Sequence, residues 1–271
     1  MKISISNIAW DKQEDERVYD ILQENAVYGL DVAPARIYDN PFSISHEDGQ
    51  RFIKHIATKG LVPVGMQSLL YGTQGLQLFQ GEEQSKQTIT HLKKMMDYAK
   101  KIGITRLVFG SPKNRLIKDV APIELENKLQ QLGDYATSKG LYFCIEPNPI
   151  QYGADFITNT LDGIKLVEKI NNSGFRLHLD LGTMLMNHES IPETVARAAA
   201  VIEHVHLSHP NLEQVIGCEK QHILLRDALK KHNYKGVVAI EMKHSMTVDN
   251  VEKVRETVAF IGSIYGGHSN E

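Results

Sequence analysis

Four apolar runs in the second half of the chain each end on an acidic or imidazole side chain. The runs end at Glu146, Asp180, His206 and Glu241. Carboxylate and imidazole groups are ligands for divalent cations. An oxygen-rich set with one nitrogen favours Mn²⁺, Mg²⁺ or Co²⁺, although Zn²⁺ accepts the same ligands. If the fold brings the four side chains together, they could chelate one divalent cation.

The run before Glu146 indicates how such a side chain would be positioned. An apolar run of about 4 to 8 residues is typical of a strand that is covered on both faces of a parallel sheet. Pro147 and Pro149 cannot donate hydrogen bonds to the sheet, so they end the strand and leave Glu146 at its carboxyl end. Barrel enzymes with parallel strands place reactive groups at this end. We therefore expect the four side chains to stand at one edge of a sheet.

Strand-like and helix-like segments alternate along the whole chain. Predicted strands lie at 3–7, 28–32, 61–67, 105–110, 141–146, 175–180, 201–206 and 237–241, and predicted helices at 13–26, 46–59, 82–102, 123–139, 158–170, 191–200, 222–231 and 248–264. This alternation, with no linker, predicts an α/β fold, a single (β/α)₈ TIM barrel forming one domain over residues 1–271. A doubly wound open sheet is the alternative, but its Gly-x-Gly-x-x-Gly turn is missing after the first strand.

Composition limits the classes of function. The chain has 271 residues, of which 42% are hydrophobic, and a formal charge of −3. This charge gives no electrostatic attraction to nucleic acid or anionic membranes, so neither is an expected partner. The amino terminus lacks the apolar region of a signal peptide, no apolar run approaches a membrane span, and the two cysteines do not suggest a disulfide framework. We therefore predict a cytoplasmic protein.

Four motifs around the candidate ligands carry a resemblance to a known family. They read Ile145-Glu146-Pro147-Asn148-Pro149, His178-Leu179-Asp180-Leu181-Gly182, His204-Val205-His206-Leu207-Ser208 and Ile240-Glu241-Met242-Lys243. The motifs resemble the xylose isomerase-like TIM barrels, and more closely their sugar phosphate isomerase/epimerase branch, which includes the tagatose and psicose 3-epimerases. The resemblance covers nearly the whole chain. It implies that the four residues hold one divalent metal ion and that Glu146 and Glu241 also act as an acid–base pair.

The implied chemistry is proton transfer next to a sugar carbonyl. Removing that proton leaves an enediolate, whose charge a bound cation stabilises as a Lewis acid. Two carboxylates on opposite faces of the sugar can take a proton from one side and return one from the other, which is epimerisation. Return of the proton to the neighbouring carbon gives aldose–ketose isomerisation instead. The implied partner is therefore a small sugar or sugar phosphate.

The residues expected to hold the substrate depart from the family pattern. Asn148, Trp10, Lys243 and His209 lie in or near loops at the expected active-site edge and are candidates for substrate contacts. In the family, the turn after the metal-binding aspartate often ends on a substrate-binding histidine, whereas this chain has Thr183 there. His209 stands where the epimerases tend to have an acid. The sequence therefore predicts the metal site more clearly than it predicts the identity of the substrate.

Two further histidines, His178 and His204, lie two residues before candidate ligands. Side chains two apart on a strand face the same side, so both should lie on the ligand side. Two interpretations are possible for each of them: it orients the ligands, or it is a hydrogen-bonded histidine of the core.

A long loop with many apolar residues follows the third predicted strand. Residues 68–81 include Leu69, Leu70 and Tyr71 among glycines and glutamines. A loop of this length is usually functional or part of an interface, so it favours a contact near the active-site edge and makes a homo-oligomer one prediction. Simple packing over the barrel end explains the loop equally well.

Three other functions stay open. A related branch of the family dehydrates keto-polyols, and the substrate-side departures allow that activity. The endonuclease IV branch cleaves DNA with three zinc ions, but that site needs further histidines after strands three and four, where this chain has Gln67 and Gly110-Ser111. A barrel that binds a ligand without catalysis is the third, because fold alone does not establish function.

Overall fold

Eight parallel strands form a closed barrel in which each strand pairs with its neighbours in chain order. The structure, a computed structural model, describes residues 1–117 and 121–266. The strands are β1 Lys2–Ser6, β2 Gly29–Val32, β3 Val62–Met66, β4 Arg106–Phe109, β5 Tyr142–Ile145, β6 Phe175–Asp180, β7 Ile202–Ser208 and β8 Val237–Glu241. Pairing of β8 with β1 closes the ring. The predicted TIM barrel is therefore confirmed.

Helices connect the strands around the barrel. Within the described residues they are α1 Asp15–Glu24, α2 Pro34–Ile37, α3 His46–Ala57, α4 Glu82–Lys101, α5 Pro122–Lys139, α6 Thr160–Ile170, α7 Leu181–Met186, α8 Ile191–Ala198, α9 Glu219–Lys231 and α10 Asn250–Tyr265. The sequence did not predict α2 and α7, because such short helices do not show a helical period. In the described part of the chain, each helix is too short or too polar to cross a membrane.

The register of the last three strands lines up the candidate ligands. β6 and β8 have the predicted bounds, whereas β7 continues beyond the predicted end at His206 as far as Ser208. Asp180 is paired with His206, and Ser208 is paired with Glu241. Because the strands are parallel, these side chains all reach the same rim of the barrel.

The inside of the barrel is polar near this rim. Asp31 on β2 and His204 on β7 contact each other although their strands are not neighbours in the sheet. Such a contact can only be made across the ring, so both side chains point inward. The residues directly next to them on the same strands, Leu30 and Val205, belong to the apolar core instead. Ionisable groups therefore occupy an interior that TIM barrels usually fill with branched aliphatic side chains.

Candidate active site

The four candidate ligands meet at the carboxyl rim of the barrel. Glu146, Asp180 and Glu241 line a cavity of about 320 Å³. The imidazole of His206 is fully buried, and its Nδ1 lies 3.3 Å from Oε2 of Glu241. A second set of ligand atoms, all within 4.8 Å of one another, comes from Glu146, His178, Asp180 and His206. The structure thus brings the four predicted side chains to one rim, but its compact set of ligand atoms contains His178 in place of Glu241, which contacts the set through His206.

Asp180 is held by the start of α7. Its Oδ1 accepts a hydrogen bond from the main-chain N–H of Thr183 at 2.6 Å, which is the N-cap arrangement of a helix. The hydroxyl of Ser208 donates to Oδ2 and accepts from the N–H of Gly182 at 2.9 Å. The sequence did not mark Ser208 as a site residue, because the predicted seventh strand ended at His206, two residues before the end of β7. These contacts fix the carboxylate that faces the cavity.

Glu146 lies just past β5, next to a buried arginine. Arg115 is 1% exposed, and its Nη2 donates both to the main-chain carbonyl of Glu146 and to Oδ1 of Asn148. The arginine therefore fixes the segment that carries the carboxylate. The sequence did not mark Arg115, because these partners lie 31 and 33 residues further along the chain.

The buried carboxylates of the site repel one another. Burial and the nearby carboxylates of Glu241 and Asp180 raise the pKa of Glu146 to about 8. Burial and Glu241 also raise the pKa of Asp180, although its hydrogen bonds oppose the shift. Burial lowers the pKa of His206, but Glu241 and Asp31 outweigh it and raise the pKa well above its ordinary value. The site is a concentration of negative charge that a bound cation would relieve.

These residues fit a divalent cation. Among the residues that the structure describes, the buried Nδ1 of His206 has only Oε2 of Glu241 at 3.3 Å as an ion-pair partner, and the two atoms do not form a well-aligned hydrogen bond. Buried polar atoms without a hydrogen-bond partner are rare and call for an explanation such as an ion. Three carboxylates and one imidazole nitrogen match the ligand preferences of Mn²⁺, Mg²⁺ and Co²⁺, and Zn²⁺ accepts the same set.

A sequence model of one protein family matches most of the chain. The match covers residues 23–264, and the family is described as xylose isomerase-like TIM barrel. The chain belongs to this family. The resemblance carried by the four sequence motifs is therefore confirmed.

Individual relatives of the family are distant from this chain. L-ribulose 3-epimerase of Methylomonas sp. (strain DH-1) is 25% identical over 121 residues, which are 45% of this chain and only 42% of that protein. D-psicose 3-epimerase of Clostridium cellulolyticum H10, solved with D-tagatose, has a TM-score of 0.80 at 15% identity and covers 98% of this chain and 99% of its own. The IOLI protein, solved with a zinc atom, has a TM-score of 0.72 at 16% identity and covers 98% and 100%. At such identities the likeness of the solved structures shows the fold alone.

The four substrate-binding candidates of this xylose isomerase-like barrel lie in different places. Asn148 and His209 line the cavity. Trp10 is 1% exposed, and its Nε1 donates to Asp15 at 2.8 Å, so the ring belongs to the packing at the start of α1. Lys243 is exposed in a separate groove beside α10, because the chain turns away from the cavity after β8. The structure thus brings two of the four to the cavity and places two elsewhere.

The apolar loop 68–81 forms part of the cavity wall. Leu69, Leu70 and Tyr71 line the cavity. The two leucines are buried, whereas Tyr71 is 79% exposed. The loop therefore packs over the barrel end and also shapes the cavity, whereas its part in an interface stays a prediction. Tyr152, which the sequence did not mark, and Lys113 also line the cavity.

Gly110 makes room for the Glu146 carboxylate. A methyl group at this position would overlap Oε2 of Glu146. We expect Gly110→Ala to displace the carboxylate and to lower the rate of substrate proton exchange about 10²-fold, since misplacement by about 1 Å can cost that much. The rate is measured at saturating metal. Gly262→Ala is the matched control, because a methyl group there meets no described atom within 4 Å. Equal rates for both variants would contradict this role for Gly110.

A buried histidine pair lies behind the cavity. The rings of His209 and His222 stack with their centroids 5.7 Å apart. Burial lowers the pKa of His222 to about 4, and His209 adds to this. The unfolded chain, with a histidine pKa of about 6.5, then takes up a proton before the folded chain does. Stability must therefore fall as the pH drops from about 6.5 towards 4.

This histidine makes a prediction for acid stability. We expect His222→Gln to reduce the loss of unfolding free energy between pH 7.5 and pH 5 by about 2 kcal/mol relative to the wild type. The measurement is urea unfolding at each pH. His244→Gln removes an exposed histidine and serves as the control. An unchanged slope in His222→Gln would show that His222 is protonated equally in both states.

Proposed function

We propose that this chain is a divalent-metal-dependent epimerase or isomerase of a small ketose or ketose phosphate. The observation that carries the proposal is the meeting of Glu146 and Glu241 at one cavity, with Asp180 and His206 beside them. The strands that carry the two glutamates are separated by β6 and β7. Their carboxyl groups can therefore approach a bound sugar from different sides. The relatives that are named as 3-epimerases support the same class of reaction.

The proposed roles follow from the position of each side chain. The four predicted ligands would hold the cation, which when bound supplies Lewis-acid stabilisation of the charge that develops on the sugar oxygens. One glutamate takes the proton beside the carbonyl, and the other returns a proton to the opposite face. Asn148 and His209 would hydrogen-bond the sugar hydroxyls.

Deuterium uptake tests the proposal. Purified protein with Mn²⁺ is incubated in D₂O with a panel of ketoses, their phosphates and inosose-like polyols, and carbon-bound deuterium is detected by NMR. We expect uptake beside the carbonyl of at least one ketose, together with its epimer or aldose as product. Loss of water from a keto-polyol would assign the protein to the dehydratase branch instead. Absence of exchange across the whole panel would favour the barrel that binds without catalysis.

A nuclease is a weaker candidate for this site. β3 and β4 are followed by Gln67 and Gly110, where the endonuclease IV branch needs histidines. The net charge of −3 gives no general attraction to DNA. Incision of an abasic oligonucleotide by the metal-loaded protein would reverse this ranking.

Location and assembly stay predictions. A cytoplasmic location was inferred from the sequence, and a homo-oligomer was inferred from the loop 68–81. In the structure the loop offers Tyr71, which a second copy of the chain could cover. Light scattering of wild type and Tyr71→Ser would test that contact.

A further inference from the structure

Asp31 is a buried carboxylate inside the barrel that the sequence did not single out. It lies on β2 and is 0% exposed. Its Oδ1 accepts a hydrogen bond from the hydroxyl of Ser4 at 2.9 Å. Its Oδ2 lies 2.5 Å from Nε2 of His204 and 3.3 Å from Nε2 of His206. One carboxylate oxygen of Asp31 thus faces the Nε2 atoms of two different histidines.

The two ring nitrogens of His206 face different groups. Nε2 faces Asp31, whereas Nδ1 faces Oε2 of Glu241 at 3.3 Å on the side of the cavity. An ionised carboxylate only accepts hydrogen bonds, so a neutral imidazole must carry its proton on Nε2 to satisfy Asp31. When a bound metal keeps the ring neutral, the lone pair therefore lies on Nδ1.

We propose that Asp31 is a positioning residue that fixes the ring orientation and tautomer of His206, so that Nδ1 is presented as a metal ligand. The proposal rests on the metal site of the proposed function. A carboxylate bonded to the distal nitrogen of a ligating histidine raises the basicity of the ligand and holds the ring in place. Asp31 would do so without touching the metal or the substrate.

The space around Asp31 is shaped for its contact with His204, the nearer of its two histidine partners. Gly65 on β3 lies beside it, and a methyl group there would collide with both Asp31 and His204. A buried carboxylate is unfavourable unless it is paired and hydrogen-bonded. Filling the same space with an aliphatic side chain would avoid that cost but would leave Nε2 of His206 without an acceptor. The geometry therefore indicates that this position requires the negative charge of Asp31, and not merely a side chain of that volume.

Metal affinity tests the proposal without any turnover. Asp31→Asn keeps the shape but loses the charge, so its amide oxygen is a weaker acceptor for the two imidazole N–H groups than the carboxylate is. We expect Mn²⁺ to bind about 10- to 100-fold more weakly to this variant, as measured by the electron paramagnetic resonance of free Mn²⁺. Ser4→Ala is the control, because it removes the hydroxyl from Oδ1 and leaves both histidine contacts, and its Kd should stay within about threefold of the wild type.

The outcomes separate this inference from the function on which it rests. If the wild type itself binds no Mn²⁺, the proposed function fails and the role of Asp31 fails with it. If the wild type binds Mn²⁺ and a folded Asp31→Asn binds it equally well, only the role of Asp31 is refuted. Circular dichroism at the temperature of the titration establishes that each variant is folded.

A measurement on the wild type covers the case in which Asp31→Asn does not fold. The chain is labelled with ¹⁵N-histidine and loaded with Zn²⁺, and the His206 signals are assigned by their absence in His206→Gln. We expect a proton on Nε2 of His206 that exchanges slowly with solvent, because it is buried against Asp31. A proton on Nδ1 in the loaded protein would overturn the proposal.

Discussion

Replacing either Glu146 or Glu241 by glutamine is expected to abolish epimerisation while leaving the fold intact. General acid–base transfer is worth about 10²- to 10⁴-fold, and epimerisation needs both transfers, so the conversion of one epimer into the other should fall at least about 10³-fold in each variant. Both glutamates are also predicted ligands. The rates must therefore be compared at metal concentrations that saturate each variant.

The residual chemistry of the two variants gives the sharper result. With one glutamate left, a proton can still be taken from and returned to one face of the sugar. We therefore expect Glu146→Gln to exchange the proton of one epimer with D₂O and Glu241→Gln to exchange that of the other, each without interconversion. The readout is deuterium position by NMR on each pure epimer. If one variant keeps full epimerisation, the acid–base pair has been assigned to the wrong residue.

A matched control for these variants lies on β7. Glu203 is half-buried and pairs with Arg106 at 2.9 Å, near the start of the strand and away from the cavity. Glu203→Gln removes a carboxylate of similar burial without touching the site. Its epimerisation rate should match that of the wild type, although a small loss of stability is expected from the broken ion pair.

Removing the metal is expected to have an effect of similar size. If the proposed function is correct, extended dialysis against a chelator should remove epimerisation, and added Mn²⁺ should restore it, because a bound cation would stabilise the developing charge on the sugar oxygens. Asp180→Asn should weaken metal binding by at least about 10²-fold, since a charged ligand becomes neutral. The measurement is the dissociation constant for Mn²⁺, followed by the rate at saturating metal.

Asp180 allows this test without loss of the fold. Asparagine is as good an N-cap as aspartate, so the side chain can still accept from the N–H of Thr183 at the start of α7. The midpoint of thermal unfolding should therefore change little in the metal-free protein. Asp180→Ala removes both functions and should in addition cost about 1 kcal/mol of stability. A chelator-treated protein that keeps its full rate would rule out a metal-dependent reaction.

The sequence predicted the parts of this molecule that depend on local pattern. Glu146, Asp180, His206 and Glu241 could be found because each follows an apolar run, and the position of that run in the chain is enough to place it in a parallel barrel. The bounds of β6 and β8 were predicted correctly for the same reason. The family match then confirmed the fold.

The parts that the sequence missed depend on contacts between distant residues. Asp31 lies within an apolar strand, and its histidine partners lie 173 and 175 residues away across the barrel. Trp10 has the position expected of a rim residue, but Asp15 draws its N–H into the packing of α1. The contacts of Asp31 leave no pattern within a window of neighbouring residues, whereas that of Trp10 is local, five residues along the chain, but does not show in the apolar pattern.

The charged barrel interior also bears on how this chain folds. Asp31 on β2 finds its histidine partners on β7, so the carboxylate is compensated only when the ring is closed. In any open arrangement of the strands, the carboxylate must either stay in water or be buried without its partners, at a cost. A partly closed barrel that buries Asp31 without its partners therefore has a higher free energy than the closed barrel, and it also bears a desolvation cost that the unfolded chain does not. The residue that we propose to orient His206 would therefore also favour complete closure of the ring over partly closed arrangements.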